Sequence, residues 1–140
     1  MGMRKLASVS SILLGVLLII GGVATWVVVG STLSEQRIVI PDDGCLAGQT
    51  VNGPLDAYCQ ARVIQAHTLE STDGLTYAEL EREDPRRETA MNSSFLQASL
   101  FTSVVAFGVA AMAMGMGVLF VLIGLGIRDV SQRADSYRAT

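Results

Sequence analysis

The residues able to do chemistry are few. The chain holds two cysteines, Cys45 and Cys59, and a single histidine, His67. Joined, the cysteines would close a loop short enough to contribute about 3 kcal/mol by restricting the unfolded chain. Unjoined, they are two free thiols. A zinc site would need four ligands at a recognised spacing, and two Cys with one His do not supply them. His67 stands beside Thr68, with no nucleophile, second base or oxyanion device at a recognisable offset, so a surface or packing role is expected. Glu79, Glu81, Glu83 and Asp84 are interleaved with Arg82, Arg86 and Arg87. Such a run pairs with itself and faces water. A weak cation site is the alternative, but no EF-hand pattern accompanies it. Met112, Met114 and Met116 alternate, so they fall on different faces of a helix and suit adaptable apolar contacts better than a metal array. No catalytic, cofactor-binding or metal-binding residue is expected, and no enzyme.

The elements that carry these residues are dominated by two charge-free runs. Thr89 to Ile127 contains no Asp, Glu, Lys or Arg over 39 residues, and Val104 to Ile127 is almost wholly apolar. About 20 apolar residues in a helix cross a hydrocarbon layer of about 30 Å. Backbone groups in lipid must be satisfied internally, and nothing here alternates as a barrel strand would. Leu6 to Gly30 is the other run, preceded by Arg4 and Lys5. A cleaved signal peptide would have a shorter apolar region, whereas Val27, Val28 and Val29 continue this one past Ala24. A retained span is therefore expected, with Trp26 as an interfacial anchor or a helix contact.

Half of the residues are hydrophobic and only 16% are charged, below the roughly 25% of soluble domains. Charge is divided by region. Arg4 and Lys5 give residues 1–30 a net +2; eleven acids against five arginines give residues 31–94 a net −6; residues 95–140 carry +1. The acidic middle excludes nucleic acid as a partner. Basic flanks belong in the cytoplasm. The expected layout is a cytoplasmic N-terminus (1–5), transmembrane helix 1 (6–30), an extracytoplasmic domain (31–94), a long helix including transmembrane helix 2 (95–127) and a cytoplasmic tail (128–140). The cysteines then lie on the oxidising side of a plasma membrane, where a disulfide is stable. The fold class is an all-α membrane protein, with two transmembrane helices and a small, mostly helical, disulfide-stapled domain between them.

Within the middle segment, Arg37–Ile40 is a short β-prone run and Pro41–Gly44 a turn. Pro54 opens a helix in which Leu55, Tyr58, Cys59, Val63, Ala66 and Leu69 recur as a buried stripe. Ser71–Gly74 ends it. Thr76 and Glu79 have the form of a capping box, which predicts a short helix over Tyr77–Glu83. Asp84-Pro85 signals another start. From Thr89 to Ile127 a single helix would measure roughly 58 Å, longer than the membrane is thick. Its polar, charge-free beginning should stand clear of the lipid, against a partner or against residues 55–70.

Neither span contains an ionisable residue, the usual mark of a proton or ion path. Glycine is patterned instead. Ser8, Gly15 and Gly22 recur every seven residues, as do Ala110, Gly117 and Gly124, and Gly108 with Gly115. Small residues on a stripe let helix backbones approach closely, and a repeat of seven suits left-handed crossing. Gly15, Gly22, Gly108, Gly115, Gly117 and Gly124 are therefore expected at helix contacts, with the other span or with another protein.

The segment TVNGPLDAYCQARVIQAHTLESTDGLTYAEL, followed by LEREDPRRETAMNSSFLQASLFTSVVAFGVAAMAMGMGVLFVLIGLGI, resembles a family of small actinobacterial two-span membrane proteins. The run ASLFTSVVAFGVA is its most specific part. Members are often labelled aromatic ring-opening dioxygenases. That chemistry needs a non-haem iron held by several His and carboxylate ligands, and one histidine cannot provide them. The expected function is a non-enzymatic accessory subunit of a larger plasma-membrane complex, contacting lipid and other membrane subunits. The actinobacterial respiratory cytochrome bc-aa3 supercomplex is one partner suggested by size and topology. A membrane-anchored extracytoplasmic binding or sensing module is the alternative.

Overall fold

A computed structural model describes residues 2–138, with side chains to residue 134. The ends of the expected N-terminal segment and tail, residues 1 and 139–140, lie outside the described residues. The chain is all-helical: α1 (Met3–Glu35), α2 (Pro54–Ser71) and α3 (Arg87–Arg138). Among the described residues an isolated antiparallel bridge joins Val39 with Thr50. By length and composition α1 and α3 are apolar enough to cross a membrane.

α1 has 33 residues and α3 has 52, about 50 Å and 78 Å at 1.5 Å per residue. Pro85 is the last proline of the chain, so no ring interrupts the backbone ladder of α3. α1 ends where Arg37 turns into the left-handed region at φ 51°.

The chain divides into two compact units. The first, Met1–Trp26 with Val109–Thr140, is an antiparallel pair of helical segments. Its backbones approach at small residues, with Ile12, Ile19, Met114 and Val121 packed beside them, and its outer faces are large and apolar. Leu13, Leu17, Met112, Leu119 and Leu122 are all exposed.

The second unit, Val27–Gly108, has a hydrophobic core. Leu33, Ile40, Val51, Ala57, Cys59, Ala61, Val63, Leu100 and Phe107 form it. Phe107, Ile40 and Val51 are its largest fully buried members. α2 begins at Pro54 as the proline predicts. The Asp56 carboxylate accepts the Gly53 N–H at 3.1 Å, satisfying an amide the helix leaves unpaired. Asp73 and Gly74, both at positive φ, close its other end.

Two local expectations are corrected. Of the expected stripe on α2, Cys59 and Val63 are buried, but Leu55, Tyr58 and Ala66 are exposed, and Ala57 and Ala61 are the other buried positions. The disulfide draws Cys59 inward, and the two alanines admit a close neighbour on another side, so α2 is buried on two sides. Residues 77–83 form turns, not a helix. The Glu79 carboxylate does accept the Thr76 N–H at 2.8 Å. However, the Arg87 guanidinium takes the carbonyls of Tyr77 and Leu80, which a continuing helix would use, and Pro85 blocks extension. Leu100 and Phe107 of α3 are also buried in this core.

Candidate functional site

Two arrangements stand out, one in each unit. In the first unit the seven-residue stripes meet head to tail. A Cβ on Gly15 would lie 2.5 Å from the Gly117 carbonyl oxygen, and one on Gly117 would lie 2.6 Å from that of Gly15. Gly22 opposes the Ala110 carbonyl at 2.8 Å, and Gly124 opposes that of Ser8 at 2.9 Å. Real Cβ atoms do not come so close, so the backbones touch only because these positions lack one. Ser8 Oγ donates to the Gly124 carbonyl and Ser11 Oγ to that of Phe120, both at 2.7 Å. The Ser8 hydroxyl is buried with its partner.

Gly108 and Gly115 are not brought to this seam. A Cβ at either would meet nothing within 4 Å. They precede Ala110 and Gly117 by two residues, about 200° around the helix, and therefore lie on nearly the opposite side of α3. Of the two stripes on α3, one is used by α1 and the other is uncovered among the described residues. Ser11 was not singled out from sequence. The available signal was a hydroxyl three residues after Ser8, hence on the same helix face, in a run with few polar groups.

In the second unit Cys45 and Cys59 are joined, with Cα atoms 5.6 Å apart. The bridge ties the loop after Pro41 to α2. A second tie lies beside it: His67 Nε2 is 2.6 Å from Asp43 Oδ2, with both side chains about half exposed. Val51 donates its N–H to Ile38 O and Ile40 donates its own to Gln49 O, both near 3 Å, which completes the strap. Of the acidic run, Asp84 is paired within it, by Arg86, while Glu79 accepts from Thr76. Arg86 bridges Asp84 and Asp73 at 2.9 and 2.7 Å. Arg87 lies 4.3 Å over the ring of Tyr77.

These contacts move the titrations in known directions. Asp84 is lowered below the usual carboxylate value, chiefly by the Arg86 side chain and then by its backbone N–H. Glu79 is lowered by the Thr76 backbone N–H and then its hydroxyl. Arg86 is raised by its two carboxylate partners. Such pairs stabilise the charged forms and order the turns between α2 and α3.

A cavity of about 740 Å³ opens in the second unit between the end of α1, α2 and the start of α3. Gln60 is among its lining residues, and Gln60 Oε1 is sealed from solvent without a hydrogen-bond partner among the described residues. Among the described residues no group of three or more His, Cys, Asp or Glu is placed to hold a metal ion. No family model, curated protein or solved structure matches the chain.

Proposed function

We propose that this is a two-span plasma-membrane protein of the accessory-subunit class, whose work is to pack against lipid and neighbouring membrane subunits. The observation that carries the reading is where the apolar surface lies. In their most hydrophobic windows α1 and α3 are only 11% and 17% buried. Core helices of a soluble protein would be mostly covered, and apolar area left in water is costly. Lipid on the outer faces removes that cost. Arg4 and Lys5 before one span, and Arg128 and Arg133 after the other, support cytoplasmic termini by the positive-inside rule. Residues 31–94, with their disulfide, then face outside. The Gly108–Gly115 stripe, turned away from α1, is the face on which another subunit's helix would pack. A respiratory cytochrome assembly remains the proposed partner on grounds of size and topology.

Purification of the tagged protein in mild detergent tests this. A stoichiometric membrane partner is expected, and it should be lost in a Gly108→Leu, Gly115→Leu variant that still folds. Recovery of the wild-type protein alone refutes the subunit reading. Labelling of the reduced cysteines by a reagent confined to the cytosol refutes the orientation.

The cavity lined by Gln60 favours a second reading, an extracytoplasmic binding module. An apolar recess of this size with a buried acceptor suits a small amphipathic molecule carrying an N–H or O–H donor. Ligand screening by thermal shift on the full chain, with Gln60→Leu as control, decides it: the reading fails if no amphipathic donor stabilises the protein.

A further inference from the structure

We propose that the first unit carries an anionic-phospholipid site at the end of the helix pair where α1 begins. The proposal rests on the membrane reading above. A cavity of about 330 Å³ lies there, and Arg4, Lys5 and Arg128 all line it. A neighbouring cavity of about 690 Å³ shares Arg4 and Lys5. Among the described residues none of these three cations has an ion-pair partner, in contrast to Arg133, which pairs with Asp129 at 2.9 Å. Three positive charges around a small recess repel one another unless an anion joins them.

Two further features point to an anion rather than to open water. Ser131 lines both cavities. It is only 9% exposed, and its hydroxyl makes no hydrogen bond among the described residues. Ser8, by contrast, is committed to the Gly124 carbonyl. That hydroxyl is free to donate, and a phosphate oxygen in the recess would accept from it. The recess also sits at the N-terminus of α1, whose first turn holds no acidic residue. There the Lys5 and Leu6 amides bond back to Gly2, and the helix dipole adds positive potential.

The source of the phosphate follows from the rest of the wall. Val9 and Ile12 continue the recess along α1, toward the apolar run. A free phosphate has no use for them, whereas an acyl chain does. Basic recesses between membrane helices on the cytoplasmic side are suited to anionic head groups. The ligand class is thus a phosphodiester lipid with its head group among Arg4, Lys5, Arg128 and Ser131.

The full-length protein, disulfide intact, is tested by native mass spectrometry with phosphatidylglycerol, with phosphatidylcholine of the same chains, and with inorganic phosphate. Flotation with pure phosphatidylcholine vesicles is run in parallel. Expected are retained phosphatidylglycerol, little phosphatidylcholine and no phosphate adduct. Affinity should drop about fivefold for each cation replaced among Arg4→Gln, Lys5→Gln and Arg128→Gln. Ser131→Ala should weaken the lipid adduct, and Arg133→Gln should leave it unchanged. Equal retention of the two lipids, an unaltered triple variant with unchanged helicity, or displacement by phosphate at equal concentration would each overturn the site. Failure to float with phosphatidylcholine vesicles strikes at the membrane reading; flotation without a phosphatidylglycerol preference sinks this proposal alone.

Discussion

Gly115 and Gly117 are two residues apart on α3 and meet opposite surroundings. This allows a matched test of the helix seam. Changing glycine to alanine within a helix stabilises by about 1 kcal/mol through backbone propensity and a restricted unfolded chain. At Gly115 the new methyl group meets nothing within 4 Å, so the variant should keep that gain. At Gly117 the methyl group would lie 2.6 Å from the Gly15 carbonyl oxygen and 2.7 Å from Ile19 Cγ1. Ordinary contact is about 3.5–4.0 Å, so the helices must part by about 1 Å. Overpacking of this kind costs about 1–3 kcal/mol. Parting would also stretch the Ser11 hydrogen bond to Phe120, now 2.7 Å, at about 1 kcal/mol. Gly117→Ala should therefore be less stable than Gly115→Ala by about 2–4 kcal/mol, since propensity cancels between the two. Unfolding in detergent, followed by circular dichroism on disulfide-intact protein, measures the difference. Gly15→Ala should behave like Gly117→Ala, and the double variant should cost less than the sum, because both open the same gap. Equal stability of the Gly115 and Gly117 variants, or a more damaged Gly115→Ala, refutes the seam.

Other outcomes follow from the second unit. Cys45→Ser with Cys59→Ser should lower stability by about 3 kcal/mol, read by denaturant titration of the full chain against the reduced wild type. A fragment of residues 31–94 should fail to fold, because it lacks Leu100 and Phe107; residues 27–108 in detergent should keep native-like circular dichroism. Asp84 and Glu79 are lowered from ordinary values of 3.8 and 4.5. Depressed acids contribute stability above the unfolded value and lose it as pH falls through the folded one. The turns after α2 should thus loosen below about pH 4, seen as faster amide exchange or proteolysis at 72–87, while Asp84→Asn removes part of that acid dependence. Arg87→Gln should release the Tyr77 and Leu80 carbonyls and raise proteolysis there at neutral pH.

The sequence by itself determined the long helices, because length, apolarity and the lack of proline after Pro85 are properties of the chain alone. It also determined the start of α2 at Pro54 and its stop near Gly74, where local backbone chemistry suffices. It held the small-residue stripes of both long helices but not which would meet. That choice belongs to tertiary structure: seven-residue spacing is shared by Gly108–Gly115 and Ala110–Gly117–Gly124, and only the rotation of α3 about its axis separates them. The inward face of α2 was read only in part, at Cys59 and Val63, since helical periodicity permits several faces and the Cys45–Cys59 bridge selects among them. The turn at 77–83 depended on Arg87, a residue that acts from beyond the segment it caps. The recess around Arg4, Lys5 and Arg128 joins positions more than a hundred residues apart. Only the antiparallel register of the glycine seam, with carbonyl against missing methyl, brings those charges to one end.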